Sequence, residues 1–154
     1  MKRFQILFLL CLALSFTFSI FAQDTKEVII LQTSDVHSRI EPINQKGDRY
    51  YNKGGFVRRA AFLEEFRKDH KNVLLFDCGD ISQGTPYYNM FRGEVEIKLM
   101  NEMGYDAMTI GNHEFDFDVD NMARIFKMAD FPVVCANYNL DATVLKDIVK
   151  PYVV

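Results

Sequence analysis

Between Thr109 and Asp118 the sequence TIGNHEFDFD places an amide (Asn112), an imidazole (His113) and three carboxylates (Glu114, Asp116 and Asp118) in ten positions, in a chain with only three histidines. Imidazole and oxygen donors so close together suit divalent cations or general acid–base work. Three other strings carry similar residues. TSDVH contains Asp35 and His37, DCGD contains Asp77 and Asp80, and CANYN contains Asn137 and Asn139. An Asp-x-His pair arises by chance in roughly a third of chains this long, and the fixed string GNHE in about one in a thousand, so GNHE carries the weight. Blander roles exist: Asp35 and Asp80 as turn caps, and Asn112 in a left-handed turn after Gly111. Glu114 and Asp118 read as ordinary surface or capping residues. His70, in KDHKN, reads as a solvated residue at a helix C-terminus.

These strings must be held by regular elements, and each follows a short apolar run. EVIILQT (27–33), NVLLFD (72–77), AMTI (107–110) and PVVCAN (132–137) read as buried strands bounded by polar turns. Between them lie helical patterns. Phe56, Ala60 and Leu63 make one stripe. Phe91, Val95, Leu99 and Met103 make a second, stopped by Gly104. Val119, Met122, Phe126 and Ala129 make a third, with Asp118 as N-cap. This alternation predicts an α/β fold with a mostly parallel sheet of βαβ units. Ligands then gather beyond the carboxyl ends of the strands, where every one of the four strings falls. The polar connection 38–55 is long enough to be functional, and Gly54–Gly55 lets the backbone turn into the next helix.

The 154 residues are 49% apolar and 25% charged, an ordinary globular composition with net charge −3. The absence of a basic patch argues against nucleic acid as the partner. Residues 1–22 read as a signal peptide: Lys2 and Arg3, then an apolar run, then cleavage after Ala22 despite the large Ile20. The chain is thus expected to be exported, to the periplasm or the extracellular space. The alternative is an uncleaved membrane anchor, since Phe4–Ala22 is long enough to span a bilayer; Ser15, Thr17 and Ser19 weaken it. Cys11 belongs to this leader. Cys78 and Cys135 are expected as small buried hydrophobes in the sheet, and two positions do not specify a disulfide.

In order, DVH, GD and GNHEFD resemble the calcineurin-like metallophosphoesterase family. LQTSDVHSRI, the Gly-Gly before a helix with two arginines, DCGDISQGTP and IGNHEFDFD are similar to its secreted 5′-nucleotidase branch. The resemblance implies a four-layer sandwich of which 23–154 is the N-terminal part. It also implies two divalent metal ions (zinc, manganese, magnesium, iron or cobalt) and a nucleotide or other phosphate ester as substrate. Carried over, Asp35 and His37 bind the first metal, Asp80 bridges both and Asn112 binds the second, while His113 and Asp116 form a catalytic dyad. Sister activities in the family include cyclic-nucleotide phosphodiesterase and nucleotide-sugar hydrolase; a metal-binding fragment without turnover is the remaining alternative.

The chemistry suits that allocation. Two adjacent cations need a shared anionic ligand, and together they make hydroxide available near neutral pH and neutralise phosphate charge. The leaving alkoxide needs a proton, which a nearby imidazole can supply, and a carboxylate can fix that imidazole's tautomer. The resemblance further implies a second half with a late Gly-His-x-His motif and a C-terminal domain that holds the nucleoside base; here no histidine follows His113.

Overall fold

The computed structural model describes residues 25–152. The leader, with Cys11 and the cleavage point after Ala22, lies outside the described residues. Among these, no helix is long and apolar enough to cross a membrane.

The elements run β1 (Ile29–Thr33), α1 (Phe56–Asp69), β2 (Val73–Asp77), α2 (Pro86–Phe91), α3 (Glu94–Met103) and β3 (Ala107–Thr109). A 3₁₀ turn (His113–Phe115), α4 (Val119–Phe126), β4 (Val133–Val134) and β5 (Val149–Lys150) follow. The five strands lie side by side in sequence order and every pairing is parallel. Right-handed crossovers that always step in one direction put their helices on one face. The side chains agree. Thr33, Asp77, Met108, Val133 and Val149 form one row across all five strands. Four of them, with Leu75, are in or beside the core, where they meet Ile97, Met100, Met122, Ile125 and Phe126. Each apolar side chain among them contributes about 1.5–3 kcal/mol by leaving water. The alternate row points the other way, and its Ile30 is 63% exposed. Among the described residues that face of the sheet is uncovered.

Several local expectations need correction. The stripe from Phe91 to Met103 is not one helix. Arg92 and Gly93 both take left-handed φ, 53° and 92°, and split it into α2 and α3. A Cβ on Gly93 would stand 2.8 Å from Ile125 Cδ1, so this turn is where α4 packs closely. The split rotates the inward face to Glu96, Ile97, Met100 and Met103, and leaves Phe91 exposed. On α1 the inward residues are Phe56 and Leu63, whereas Ala60 is exposed. Arg59 fills the inward position instead, its guanidinium 4.5 Å over the Phe56 ring and 3.2 Å from the Tyr105 hydroxyl. Cys78 is exposed, not buried, because it follows Asp77 and therefore projects to the uncovered face; Cys135 is buried, and both are free thiols. His70 is half-buried, stacked on Phe66 at 4.0 Å between ring centres. The fourth strand shrinks to two residues, and Val149–Lys150 supplies a fifth.

The connection 38–55 is folded back on itself by Ile43–Lys53 and Asn52–Ile43 backbone bonds. Gly55, at φ 91°, lets the chain pass Pro42, whose nitrogen would lie 2.8 Å from any Cβ there.

Candidate metal centre

The loops after β1 and β2 run together beyond the sheet edge. Backbone N–H groups of Asp35, His37 and Ser38 donate to the carbonyls of Gly79, Asp80 and Ile81 at 3.0, 3.0 and 2.8 Å, extending the parallel pairing past the strands. To do so Asp35, His37, Ser38 and Asp80 take left-handed φ of 53°, 44°, 53° and 58°. Non-glycine residues hold such conformations only where the surroundings over-determine them, and such clusters mark functional sites.

The loop after β3 joins the other two through Glu114. Its carboxylate accepts the N–H groups of Gly111 and Asp80 on one oxygen, at 2.6 and 2.9 Å, and that of Ser82 on the other, at 3.1 Å. Glu114 is 1% exposed. It is therefore neither a surface residue nor merely a local cap, as its sequence position suggested, but the anchor between two strand-end loops. The available signal was its place three residues after Gly111, the reach-back spacing of a capping box. The approach is close: a Cβ on Gly79 would lie 2.5 Å from Gly111 N. Asp118 does cap α4, accepting Asn121 N–H at 2.6 Å.

Three sequence-predicted residues converge on this edge. One ligand atom each from His37, Asp80 and His113 lie within 4.8 Å of one another, a group able to hold a cation. The two imidazoles meet edge to face, with centroids 5.1 Å apart. Asp80 Oδ1 accepts the His113 N–H at 2.8 Å, which leaves Oδ2 free for a cation. His113 Nδ1 is bonded to Asp116 Oδ2 at 2.8 Å, so Nε2 is the atom His113 offers to the centre. That bond raises the His113 pKa above the ordinary histidine value. Partial desolvation opposes it, and the charges of Asp116, Asp80 and Glu114 reinforce it.

Other predicted residues lie at the margin. Asp35 is largely exposed, its Oδ1 3.9 Å from His37 Nε2 and its other oxygen bonded to Ser34. Asn112 is exposed beside His113 and is right-handed (φ −77°), which removes the left-handed-turn role. Asn137 and Asn139 are exposed; Asn137 Oδ1 accepts the Cys135 thiol at 3.2 Å and Asn139 caps its own turn.

Asp77 is withdrawn from the edge altogether. It is 2% exposed, held by Thr33 Oγ1 at 2.5 Å and Gly79 N at 2.9 Å, and burial pushes its pKa up to about 6 from 3.8. Between those values the folded chain keeps a proton that the unfolded chain has released. Asp77 thus supports folding fully below about pH 4 and costs stability as pH rises through 6, by roughly 3 kcal/mol in total. Asp77→Asn mimics the protonated acid, because Thr33 can accept from the amide while donating to Tyr105, 2.8 Å away. The variant is expected to gain stability over wild type from pH 4.5 to 7. Urea midpoints that move in parallel across that range would contradict this.

Divalent first-row cations and magnesium suit the donor set of imidazole and carboxylate. The calcineurin-like phosphoesterase profile matches residues 28–151. The chain is 38% identical over 133 residues to the snake venom 5′-nucleotidase of Gloydius brevicauda, an alignment covering 82% of this chain and 23% of that one. Its fold is similar to the 5′-nucleotidase precursor from Thermus thermophilus, with TM-score 0.74, 36% identity and coverage of 82% and 25%. It is also similar to the NAD nucleotidase of Haemophilus influenzae, with TM-score 0.71, 32% identity and coverage of 82% and 24%. The chain thus spans about a quarter of the length of these relatives. With the profile matched from β1 to β5 and the strand-end loops built around one group of ligands, the chain belongs to the calcineurin-like phosphoesterase family.

Proposed function

We propose that this chain supplies the N-terminal part of a metal-dependent phosphoric ester hydrolase that releases phosphate from nucleoside 5′-phosphates. The observation that carries the reading is the meeting of His37, Asp80 and His113 beyond β1, β2 and β3. The likeness to 5′-nucleotidases supports the choice of substrate. Asp35 and His37 would hold one divalent cation, Asn112 the other, and Asp80 both. Two cations supply charge neutralisation and an activated water when bound. His113, with Nδ1 tied to Asp116, would hold an Nε2 proton for the departing ribose oxygen, and the bond to Asp116 that raises its pKa favours the protonated ring. Asp116 is then a positioning residue that fixes the tautomer.

The uncovered apolar face of the sheet supports a second sandwich half packed against it in a longer polypeptide. The leader supports export, with the mature chain starting at Gln23 and membrane attachment only if the leader is retained. Nucleic acid is not among the proposed partners.

The test uses the complete polypeptide that carries this chain. Adenosine 5′-monophosphate should yield phosphate; chelation should abolish the activity and a divalent cation should restore it. A 2′,3′-cyclic nucleotide and a nucleotide sugar belong in the same panel. Faster turnover of either would overturn the substrate assignment, and turnover unaffected by chelation would overturn the mechanism.

A further inference from the structure

Beneath the loop that carries His37 lies a polar cluster with no part in the chemistry above. Glu96, in the first turn of α3, is fully buried, as is Ser38. Glu96 Oε1 is hydrogen-bonded to Ser38 Oγ. Ser38 Oγ also lies 2.9 Å from Thr85 Oγ1, and Thr85 Oγ1 donates to the Ser38 carbonyl at 2.8 Å. Glu96 Oε2 has no partner among the described residues.

The number of protons constrains this cluster. Three hydrogen bonds link Glu96, Ser38 and Thr85, but the two hydroxyls bring only two protons. With Glu96 ionised, Ser38 donates to Glu96 Oε1 and Thr85 to the carbonyl, which leaves the Ser38–Thr85 contact without a proton. A carboxylic acid brings the third, so that Glu96 can donate to Ser38, Ser38 to Thr85, and Thr85 to the carbonyl. A neutral acid also removes the objection that an ionised oxygen would sit buried without a partner. Burial raises the Glu96 pKa, in the same sense.

His37 and Ser38 are consecutive left-handed residues. The His37 ring is steadied by Ser82 O, 3.2 Å from its Nδ1. On another side the loop abuts Gly84, where a Cβ would come within 2.7 Å of the His37 carbonyl. What holds Ser38 therefore holds the backbone from which His37 projects.

We propose that Glu96 is a positioning residue which, as a neutral carboxylic acid, clamps Ser38 and so aims His37 at the metal centre. This role rests on the metal-dependent reading above. Groups that orient metal ligands typically change affinity about 10–100-fold when removed.

The experiment measures Mn²⁺ affinity by equilibrium dialysis beside thermal unfolding, in the complete polypeptide carrying this chain. Glu96→Leu fills the same buried space and should keep or raise the unfolding midpoint while weakening Mn²⁺ binding about 10–100-fold. Ser38→Ala breaks the clamp from the other side and should weaken binding alike, with little further loss in the double variant. Glu96→Gln keeps a neutral donor and should bind within about threefold of wild type. If Glu96→Leu does not fold, Ser38→Ala and Glu96→Gln decide. Wild-type affinity in Ser38→Ala or in folded Glu96→Leu, or a Glu96→Gln affinity as poor as that of Ser38→Ala, overturns the role. A wild-type protein that binds no Mn²⁺ overturns the metal-dependent reading and this role together.

Discussion

In the complete polypeptide that carries this chain, Asp80→Ala is expected to abolish divalent-metal retention and turnover together, whereas His113→Ala is expected to keep its metal and lose only the reactions that need a proton. Asp80 contributes a ligand atom within 4.8 Å of those of both imidazoles, and its Oδ1 accepts the His113 N–H. In the proposed role of a ligand shared by two cations it would have no substitute among its neighbours, so its loss would remove the site itself. His113 has Nδ1 bound to Asp116 and offers only Nε2. Used as an acid, that atom contributes roughly 10²–10⁴-fold where the leaving group is a basic alkoxide. A nucleoside monophosphate should therefore show the full loss in His113→Ala. An activated aryl phosphate, whose phenolate leaves without help, should be hydrolysed nearly as fast as by wild type. Metal analysis beside rates on the two substrates separates the assignments. Equal losses on both, or a missing cation in His113→Ala, would show that His113 is a ligand and not an acid, an arrangement its place in the same group of ligand atoms also allows.

Glu114→Ala should be the most damaging substitution for folding among the residues around the centre. The carboxylate accepts backbone N–H groups from Gly111, Asp80 and Ser82 while almost wholly buried. A hydrogen bond to a charged group contributes about 1.5–3 kcal/mol, and a buried donor left without an acceptor carries a further penalty. Three such bonds are not additive, and a loss of about 3–5 kcal/mol is expected, at the upper end for a single substitution. The unfolding midpoint should fall by about 10–20 °C. Cation affinity should fall with it, because the bond to Asp80 N–H is part of what holds that residue in its left-handed conformation. Glu114→Gln should be intermediate: its oxygen can still serve Gly111 and Asp80, but its amide then faces Ser82 N–H, donor against donor. Thermal unfolding of both variants, with hydrogen exchange at Gly111, Asp80 and Ser82, tests this. An alanine variant as stable as wild type, with those amides still protected, would refute the anchoring role.

Strands, helices and the position of the ligand-bearing strings were legible in the sequence because they depend on short-range rules. Apolar runs such as VLLFD end at polar turns, and a strand–helix alternation sends each strand end to the same edge of a parallel sheet. Asp118 was legible for the same reason, since a cap acts on an amide three residues away. What the tertiary structure decided was which carboxylates face the edge and which are buried. Asp77 and Asp80 stand in one tetrapeptide, yet Asp77 lies in the core-facing row while Asp80 turns out on a left-handed residue. Glu114 reads as a surface acid until the 77–82 loop, more than thirty positions away, brings two N–H groups to it. Glu96 sits in a helix that looked amphipathic on a different face, until the turn at Arg92–Gly93 rotated it inward onto Ser38. In each case a partner is remote in sequence, and for Asp77 and Glu96 the desolvation that raises the pKa exists only once the chain has packed around them.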